Sequence, residues 1–190
     1  MPEFSSEVNL QRVIHAFYTQ LSGSKGGLQY SAGVRVESMD RNLLLKDKAN
    51  TINEVFAYDF TKLYPSAAIS YTVDDKTTLK LAYSKRVART TTFKMNPFPE
   101  REHAETLEQG DPDLKPEFID LVELGLDRKI SDNNTAFATA YYRNTKNVVN
   151  RVNTVYSNTI LNRIYSNVGN AKTFGIEFGT QLKFAEKWDA

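Results

Sequence analysis

Apolar and polar side chains alternate along much of this chain, and this period of two constrains the fold more than any other feature. In residues 28–37 the even positions run from Leu28 to Val36 and are apolar, whereas the odd positions are mostly polar. The same pattern recurs in residues 66–73, 79–86 and 174–183. Alternate side chains point to opposite faces of a strand, while a helix repeats every 3.6 residues. These segments are therefore predicted to be β-strands with one apolar face each.

Other strands have a less regular pattern. Residues 8–21 have apolar side chains on both phases, which on pattern alone also fits a helix. The pattern does not decide which face of 8–21 or of 135–143 meets an apolar solvent. Together the segments predict an all-β fold, an antiparallel up-and-down meander of about 7–8 strands. The predicted strands are 8–21, 28–38, 64–73, 77–87, 117–129, 134–156 and 159–184.

The connections between these strands alternate between short and long. Short turns are predicted at 22–27, 74–76 and 131–134, and long polar loops at 39–58, 87–116 and 145–170. Ser157-Asn158 is the expected tip of a hairpin in the last loop. Transmembrane barrels of the outer membrane have short turns on one side and long loops on the other. We therefore expect the three long loops to lie together at one end of the sheet.

Composition excludes several classes of protein. The net charge of the 190 residues is +1, which gives no global electrostatic reason to bind nucleic acid. No window holds 18 consecutive apolar residues, so a transmembrane helix is excluded. Cysteine is absent, and no nucleophile elbow, zinc-protease motif or phosphate-binding glycine loop is present. The sequence therefore predicts neither an enzyme nor a cofactor.

One segment stands out within the longest loop. Gly110-Asp111-Pro112-Asp113-Leu114-Lys115-Pro116-Glu117 contains two prolines that fix the backbone, and Gly110 would allow a positive φ. This segment predicts a rigid, extended start of the strand that contains Glu123-Leu124-Gly125.

These residues resemble the "G-N-P-x-L-K-P-E … E-L-G" pattern of TonB-dependent outer-membrane receptors, with Asp111 in place of Asn. Five further segments resemble motifs of that family. In one of them, the motif that ends at Arg89, Thr90 stands where the family has proline. They are Gly33-Val34-Arg35-Val36-Glu37, Tyr64-Pro65-Ser66, Tyr83-Ser84-Lys85-Arg86-Val87-Ala88-Arg89, Asn96-Pro97-Phe98, and Asn167-Val168-Gly169 with Phe174-Gly175-Ile176-Glu177. The matches follow the family order from about residue 28 to 184.

The resemblance implies a location in the outer membrane of Gram-negative bacteria and contact with its lipid. Complete receptors of this kind resemble 22-stranded barrels with an N-terminal plug, which import a scarce ligand. The plug would be moved by the TonB energising complex. Residues 1–190 contain no recognisable plug and are expected to be a partial barrel, an internal slice of the C-terminal half.

The chain termini agree with a slice. Met1-Pro2-Glu3-Phe4 lacks the features of a signal peptide, and residues 1–4 are expected to be a leftover of cloning. Residues 186–190 resemble the start of a turn. A slice has two open edges and an exposed apolar face, so the isolated chain is expected to self-associate through its edges, to cover that face with another copy or a helix, or to depend on detergent. If one segment leaves the sheet to cover the face, residues 8–21 are expected to be that segment.

Two groups of residues are candidates for binding the imported ligand. Arg86 and Arg89, with Lys85, are predicted to attract anions inside the barrel, unless they pair with Glu37, Asp120 or Glu123 as part of the wall. The second group lies in the acidic loop and comprises Glu102, His103 and Glu105, near Glu100 and Glu108. Carboxylates and imidazole are suitable ligands for cations, but a solvated acidic loop is the favoured interpretation. With His15 and His103 as its only histidines, the chain cannot form a multi-histidine metal site.

Two other classes of function stay open. One is a soluble all-β binding module, such as a lipocalin-like barrel around a small apolar ligand. The other is an enzyme on a β-scaffold, for example a glycosidase that uses Glu117 and Glu123. The sequence does not identify the imported ligand, nor whether the chain folds alone.

Overall fold

The computed structural model describes residues 6–47, 51–103, 105–185 and 188–189. Residues 1–4, where a cloning leftover is expected, lie outside these ranges, as do three of the last five residues. Seven strands form the main sheet in the order β1-β2-β3-β4-β7-β8-β11. They are β1 (Ser6–Lys25), β2 (Leu28–Asp47), β3 (Asn53–Asp74), β4 (Thr77–Ala88), β7 (Glu117–Ser131), β8 (Asn134–Lys146) and β11 (Ala171–Gln181).

The main sheet is an antiparallel meander, as predicted. Each strand pairs with the next one in the order, and every pair is antiparallel. The tight turn between β1 and β2 uses Gly26 and Gly27 at φ 55° and 78°, a region that favours glycine. In the described part of the chain, β1 and β11 do not pair with each other. The sheet is therefore open, as a slice of a larger barrel must be.

The register confirms the predicted apolar face. Tyr30 pairs with Ile69, Ile69 with Leu81, and Leu81 with Leu124. Directly opposed residues point to the same side of a sheet. We call this side the outer face and the opposite side the inner face. The row continues through Ala140 to Ile176, so Ala138, Ala140 and Tyr142 take the outer face of β8.

Residues 8–21 belong to a strand, so the expectation that they leave the sheet is wrong. They lie within β1, which pairs with β2 along its whole length. The mixed pattern has a simple cause, since Phe17 and Leu21 lie on the outer face while Val8 and Leu10 lie on the inner face. Val8 and Leu10 pack against buried residues of the inner face. One set of apolar residues in β1 therefore lies on the outer face, and the other set packs against the core on the inner face.

The predicted loop 39–58 is also wrong, because β2 and β3 continue through most of it. Up to Val36 the apolar residues of β2 point outward, whereas Met39, Leu43 and Leu45 point inward and are buried. The strand changes its apolar side without a register shift in either pairing. This inversion of phase obscured the strand in the sequence.

The long loops between the main strands contain five further elements, α1 (Thr92–Met95), β5 (Glu100–His103), β6 (Thr106–Gln109), β9 (Val149–Ser157) and β10 (Ile160–Asn167). After β11 the chain forms two short strands, β12 (Lys183–Ala185) and β13 (Trp188–Asp189). Strands β5-β6-β10-β9 form a second sheet, which we call the rim sheet.

The predicted strands 134–156 and 159–184 are each divided between the two sheets. Asn147 adopts a left-handed φ of 56° between β8 and β9, and Gly169 has φ 116° between β10 and β11. Residues 158–159 form the turn between β9 and β10, close to the predicted tip Ser157-Asn158.

The described core lies beneath the rim sheet rather than in the middle of the main sheet. Leu43 and Leu45 of β2 pack with Met95, Leu114 and Tyr165 from the loops. Burial of one such side chain contributes roughly 1.5–3 kcal/mol. The core therefore holds the long loops against the inner face of β1–β3.

Candidate functional site at the inner rim

Arg41 joins the main sheet to the segment 89–116, which we call the rim segment. Its side chain is buried on the inner face of β2. Nη1 donates to the Leu114 carbonyl at 2.6 Å, and Nη2 donates to the Pro112 carbonyl at 3.2 Å. The guanidinium lies 5.1 Å from the centre of the Tyr58 ring. Burial lowers the pKa of Arg41, and the nearby charge of Arg12 lowers it further.

Glu37 forms the second connection. Its carboxylate, on the inner face of β2, accepts hydrogen bonds from Arg35 at 2.8 and 3.1 Å and from Arg89 of the rim segment. The residue is only 1% exposed. Burial acts to raise the pKa of Glu37, but the hydrogen bonds from Arg89 and Arg35 outweigh it and hold the pKa below its ordinary value. Glu37 is therefore charged at neutral pH.

Arg12 of β1 completes a basic cluster at this position. It donates to the Thr90 carbonyl at 2.8 Å, and Thr90 is itself buried beside Met95. Burial, followed by the charge of Arg89, lowers the pKa of Arg12. Arg35 and Arg89 thus bind the Glu37 carboxylate, while Arg12 and Arg41 bind backbone carbonyls of the rim segment.

Backbone contacts fix the shape of the rim segment. Gly110 donates its N–H to the Asn96 carbonyl at 2.6 Å, and Asp111 donates to the Lys94 carbonyl at 3.0 Å. A Cβ at Gly110 would lie 2.5 Å from the Asn96 nitrogen. Gly110 is therefore required for this close approach, and not for a positive φ as the sequence suggested.

Residues of different sequence motifs form hydrogen bonds that connect the loops to the wall. Asn167 accepts a hydrogen bond from the Lys115 N–H at 2.9 Å and donates to the Lys115 carbonyl at 3.1 Å. Glu117 accepts from the Val149 N–H at 2.6 Å. Segments far apart in the chain are therefore held together by motif residues, which here attach the loops to the wall.

Ion pairs hold the rim sheet together. Arg163 pairs with Glu102 at 3.1 Å, and Arg151 pairs with Glu108 at 2.7 Å. Arg151 also donates to the Tyr165 hydroxyl at 2.9 Å. Basic side chains of β9 and β10 thus neutralise part of the acidic loop.

The five candidate ligand-binding residues belong to two groups in space. Arg86 is exposed on the inner face of β4, and Arg89 follows β4 and pairs with Glu37. Glu102 and His103 lie on β5, and Glu105 precedes β6. His103 and Glu105 are exposed, and the Glu105 carbonyl accepts a hydrogen bond from Leu161. Their role in ligand binding stays a prediction.

Within residues 6–47, 51–103, 105–185 and 188–189, no three His, Cys, Asp or Glu side chains are placed to hold a metal ion. Across the same residues, no helix has the length and apolarity needed to cross a membrane.

The most buried members of the site are not among the residues predicted from the sequence. Arg12 lies in a segment with an ambiguous pattern, and Arg41 lies in a predicted loop. Arg35 and Glu37 enter the sequence prediction only through a motif and, for Glu37, a possible pairing with Arg86 or Arg89. Arg35, Glu37, Met39 and Arg41 are all odd-numbered residues of β2, and this spacing of two is the sequence signal that they point to the same face.

Comparisons with known proteins agree with this architecture. The outer membrane protein beta-barrel family matches residues 1–190. A search of curated proteins returns no match. Among solved structures, the hemophore receptor HasR of Serratia marcescens has a TM-score of 0.67 at 18% identity, over 90% of this chain and 32% of the receptor. The ferric yersiniabactin uptake receptor FyuA from Yersinia pestis has a TM-score of 0.63 at 16% identity, over 97% and 26%.

A third solved structure extends the comparison. The FrpB iron transporter from Neisseria meningitidis has a TM-score of 0.61 at 13% identity, over 94% of this chain and 25% of the transporter. The chain thus spans about a quarter to a third of the length of these three proteins. At these identities the likeness concerns the fold alone, and the fold is that of part of an outer-membrane barrel wall.

An open antiparallel wall with an apolar outer face and long loops at one end defines a slice of a transmembrane β-barrel. The chain belongs to the outer membrane protein beta-barrel family. Its location is the outer membrane of Gram-negative bacteria, and the resemblance to TonB-dependent receptors is confirmed in the fold. The outer face therefore meets lipid, and the inner face lines the lumen.

Proposed function

We propose that this chain is part of the barrel of a TonB-dependent receptor that imports a scarce ligand. This chain supplies part of the lipid-facing wall and of the extracellular rim, while a plug elsewhere in the protein contacts the energising complex. The observation that carries the proposal is the arrangement of the wall, with an apolar outer face and a polar inner face under docked loops. Porin-like diffusion does not need a buried ionic rim of this kind.

The exposed apolar side chains support the membrane part of the proposal. Ile69, Leu81 and Ile176 are about half exposed on the outer face, at 47%, 49% and 54%. The inner face at the same height carries Lys80, which pairs with Asp127. A lipid-facing band of about 9–11 residues per strand is enough to cross the membrane.

The two other classes of function have less support. A lipocalin-like module needs a closed barrel with an apolar interior, whereas this sheet is open and its apolar residues point outward. A glycosidase needs two carboxylates that face one another across a substrate. Here Glu117 binds the backbone of Val149, and the neighbours in fold are transporters and receptors.

In this function the five predicted residues contribute to the ligand mouth. Arg86 faces the lumen from β4 and Arg89 begins the rim segment, while Glu102 and His103 lie on β5 of the rim sheet and Glu105 lies between β5 and β6. The exposed His103 and Glu105 are suited to contact a ligand that arrives from outside. Arg89 acts through its pair with Glu37, which positions the rim segment.

Single-cysteine labelling tests the topology in living cells. The chain has no natural cysteine, so Asn158→Cys at the tip of the β9–β10 hairpin gives an unambiguous reporter in this segment. A membrane-impermeant maleimide should label Asn158→Cys on intact cells. It should label Asp132→Cys, in the opposite turn, only after the outer membrane is permeabilised. A soluble protein, or labelling of both sites on intact cells, would contradict the proposal.

Uptake tests the transport part. Cells with and without the complete receptor are given radioactive iron as ferric siderophores or haem, or radioactive copper. Uptake of one of these should require both the receptor and a working energising complex. Equal uptake in a strain without the energising complex would argue for passive diffusion instead.

A further inference from the structure

The outer face of β8 and β11 changes from apolar to polar just above an aromatic pair. Ala140 pairs with Ile176, and Tyr142 pairs with Phe174 in the next row towards the long loops. Tyr142 is 42% exposed and Phe174 is 71% exposed. Aromatic side chains gather where transmembrane barrels cross the two membrane interfaces, and the long loops of such barrels are extracellular. The pair therefore marks the boundary between the hydrocarbon and the headgroups of the outer leaflet.

Above this pair the outer face of β8 and β11 becomes basic. Lys172 pairs with Asn144, and Lys146 follows Asn144 by two residues on the same face of β8. Diagonal neighbours of this kind on adjacent strands are about 7–8 Å apart. Both lysines are exposed. Their two ammonium groups can therefore reach one anion between them.

Neither lysine has a counter-charge in the described part of the chain. No ion pair among the described residues includes Lys146 or Lys172. The acid closest to them in the register is Asp120 of β7, which lies opposite Asn144 on one side and Lys85 on the other. Asp120 also accepts a hydrogen bond from the Tyr83 hydroxyl at 2.7 Å. The positive charge above the aromatic pair is therefore not neutralised by its neighbours in the wall.

The other half of the wall has the opposite charge at the same boundary. Beyond Val36 and Leu63, the outer face of β2 and β3 continues to Asp40 and Asp59, which oppose each other. A requirement for polar side chains at the boundary would be met by either sign of charge on either half. The separation of the two signs indicates that the basic half meets an anion.

We infer that Lys146 and Lys172 bind the anionic phosphate group of a lipid in the outer leaflet, while Tyr142 and Phe174 pack against its acyl chains. The lysines adjoin the lipid-facing surface directly, which favours a lipid over a dissolved anion. Ammonium groups bind phosphate as point charges, and the long lysine stems can lie along the apolar surface below them. The inference goes beyond the proposed function, because it concerns the outer face and depends on no transport step.

Native mass spectrometry of the complete receptor in detergent tests the site, with dioleoyl phosphatidic acid as the probe. Dioleoyl phosphatidylcholine has the same acyl chains and no net charge, so it is the comparison lipid. Phosphatidic acid should bind more tightly than phosphatidylcholine. Lys146→Gln combined with Lys172→Gln should weaken phosphatidic acid binding about tenfold, because each cation near an anionic headgroup contributes to the affinity.

The matched control removes the same charge from the opposite end of the wall. Lys25→Gln combined with Lys76→Gln replaces two exposed lysines of the short turns and should leave this binding unchanged. Lys146→Arg combined with Lys172→Arg keeps the charge and should keep the affinity. Asn144→Asp serves where the glutamine variant does not fold, since it places a carboxylate between the two lysines and should weaken binding as well.

Inorganic phosphate tests whether the anion must belong to a lipid. At the same concentration as phosphatidic acid, it should not displace the lipid. Displacement would assign the lysines to a dissolved anion and overturn the inference. Equal affinity for the two lipids, or an equal loss in the glutamine variant and in its control, would overturn it as well. The labelling of Asn158→Cys tests the proposed function separately, because neither result depends on the other.

Discussion

Glu37 of β2 forms an ion pair with Arg89, 52 residues further along the chain, where the rim segment leaves β4. The pair connects the wall to the loop above it. Because Glu37 is buried and also accepts hydrogen bonds from Arg35, its charge state decides whether the rim segment is held at this point.

Acid should release the rim segment. The pKa of Glu37 is lowered in the folded protein, so its stabilising contribution is complete above the ordinary glutamate pKa of about 4.3 and is lost as pH falls through the lowered value. Hydrogen exchange of residues 108–117, corrected for intrinsic rates, should lose protection in that acidic range. Glu37→Gln should show low protection at neutral pH as well. Equal protection of both proteins at neutral pH would contradict this role.

Arg41→Met should loosen the same segment by a different mechanism. The change leaves the carbonyls of Pro112 and Leu114 without their donor, at a cost of about 1–3 kcal/mol. A cysteine in place of the buried Thr90 reports the opening, because maleimide reaches it only when the segment moves away. Labelling should be faster with Arg41→Met, whereas Lys46→Met at an exposed position should leave it unchanged.

Gly110→Ala should destabilise the protein more than Gly125→Ala. A Cβ at Gly110 meets backbone atoms at 2.5 Å, whereas one at Gly125 meets Lys80 Cβ at 3.4 Å. Overpacking of this kind costs about 1–3 kcal/mol. Urea unfolding of the two variants in detergent measures the difference. A smaller effect at Gly110 than at Gly125 would be inconsistent with the close approach.

Arginine should distinguish the two faces of β3. Ile69 faces lipid and its neighbour Ser70 faces the lumen, so these adjacent positions are matched in depth. Ile69→Arg should cost about 2–4 kcal/mol near the midplane, while Ser70→Arg should cost far less. Folding into lipid bilayers followed by urea titration measures both. Similar costs would mean that the faces are wrongly assigned.

The isolated chain should associate with itself in buffer without detergent. In the described sheet β1 and β11 offer open edges, and the outer face exposes a continuous apolar surface. Sedimentation should show large species that detergent disperses. A monomer that persists on dilution would mean that these surfaces are covered in a way the open sheet does not provide.

The fold could be predicted from the sequence where lipid alone covers one face of the strands and requires apolar side chains there. From Leu28 to Val36 lipid requires every second side chain to be apolar, and register and faces followed correctly. Above Val36 the loops supply the apolar surroundings instead. Met39 and Leu43 therefore lie on the opposite phase, and a local pattern cannot show which distant segment covers them.

The candidate site was harder to predict for the same reason. Arg86 and Arg89 were found because their motif stands at the end of a clear strand. The roles of Arg12 and Arg41 depend on carbonyl groups of Thr90, Pro112 and Leu114, and these become partners only after the chain returns across the sheet. The division of 134–156 at Asn147 depends on the left-handed backbone of this one residue. Asparagine tolerates that conformation, but its presence in a sequence does not predict it.

The change of apolar side within β2 also determines how deeply the wall is inserted. Moving the strand deeper would bring Asp40 and Asp59, which oppose each other on the outer face, into the hydrocarbon. Moving it outward would carry Val36 and its partner Phe17 out of the hydrocarbon into water, while Leu43 and Leu45 stay bound to the loops. The strand therefore has one favourable height in the membrane, which fixes the ionic cluster around Glu37 at the outer boundary of the hydrocarbon.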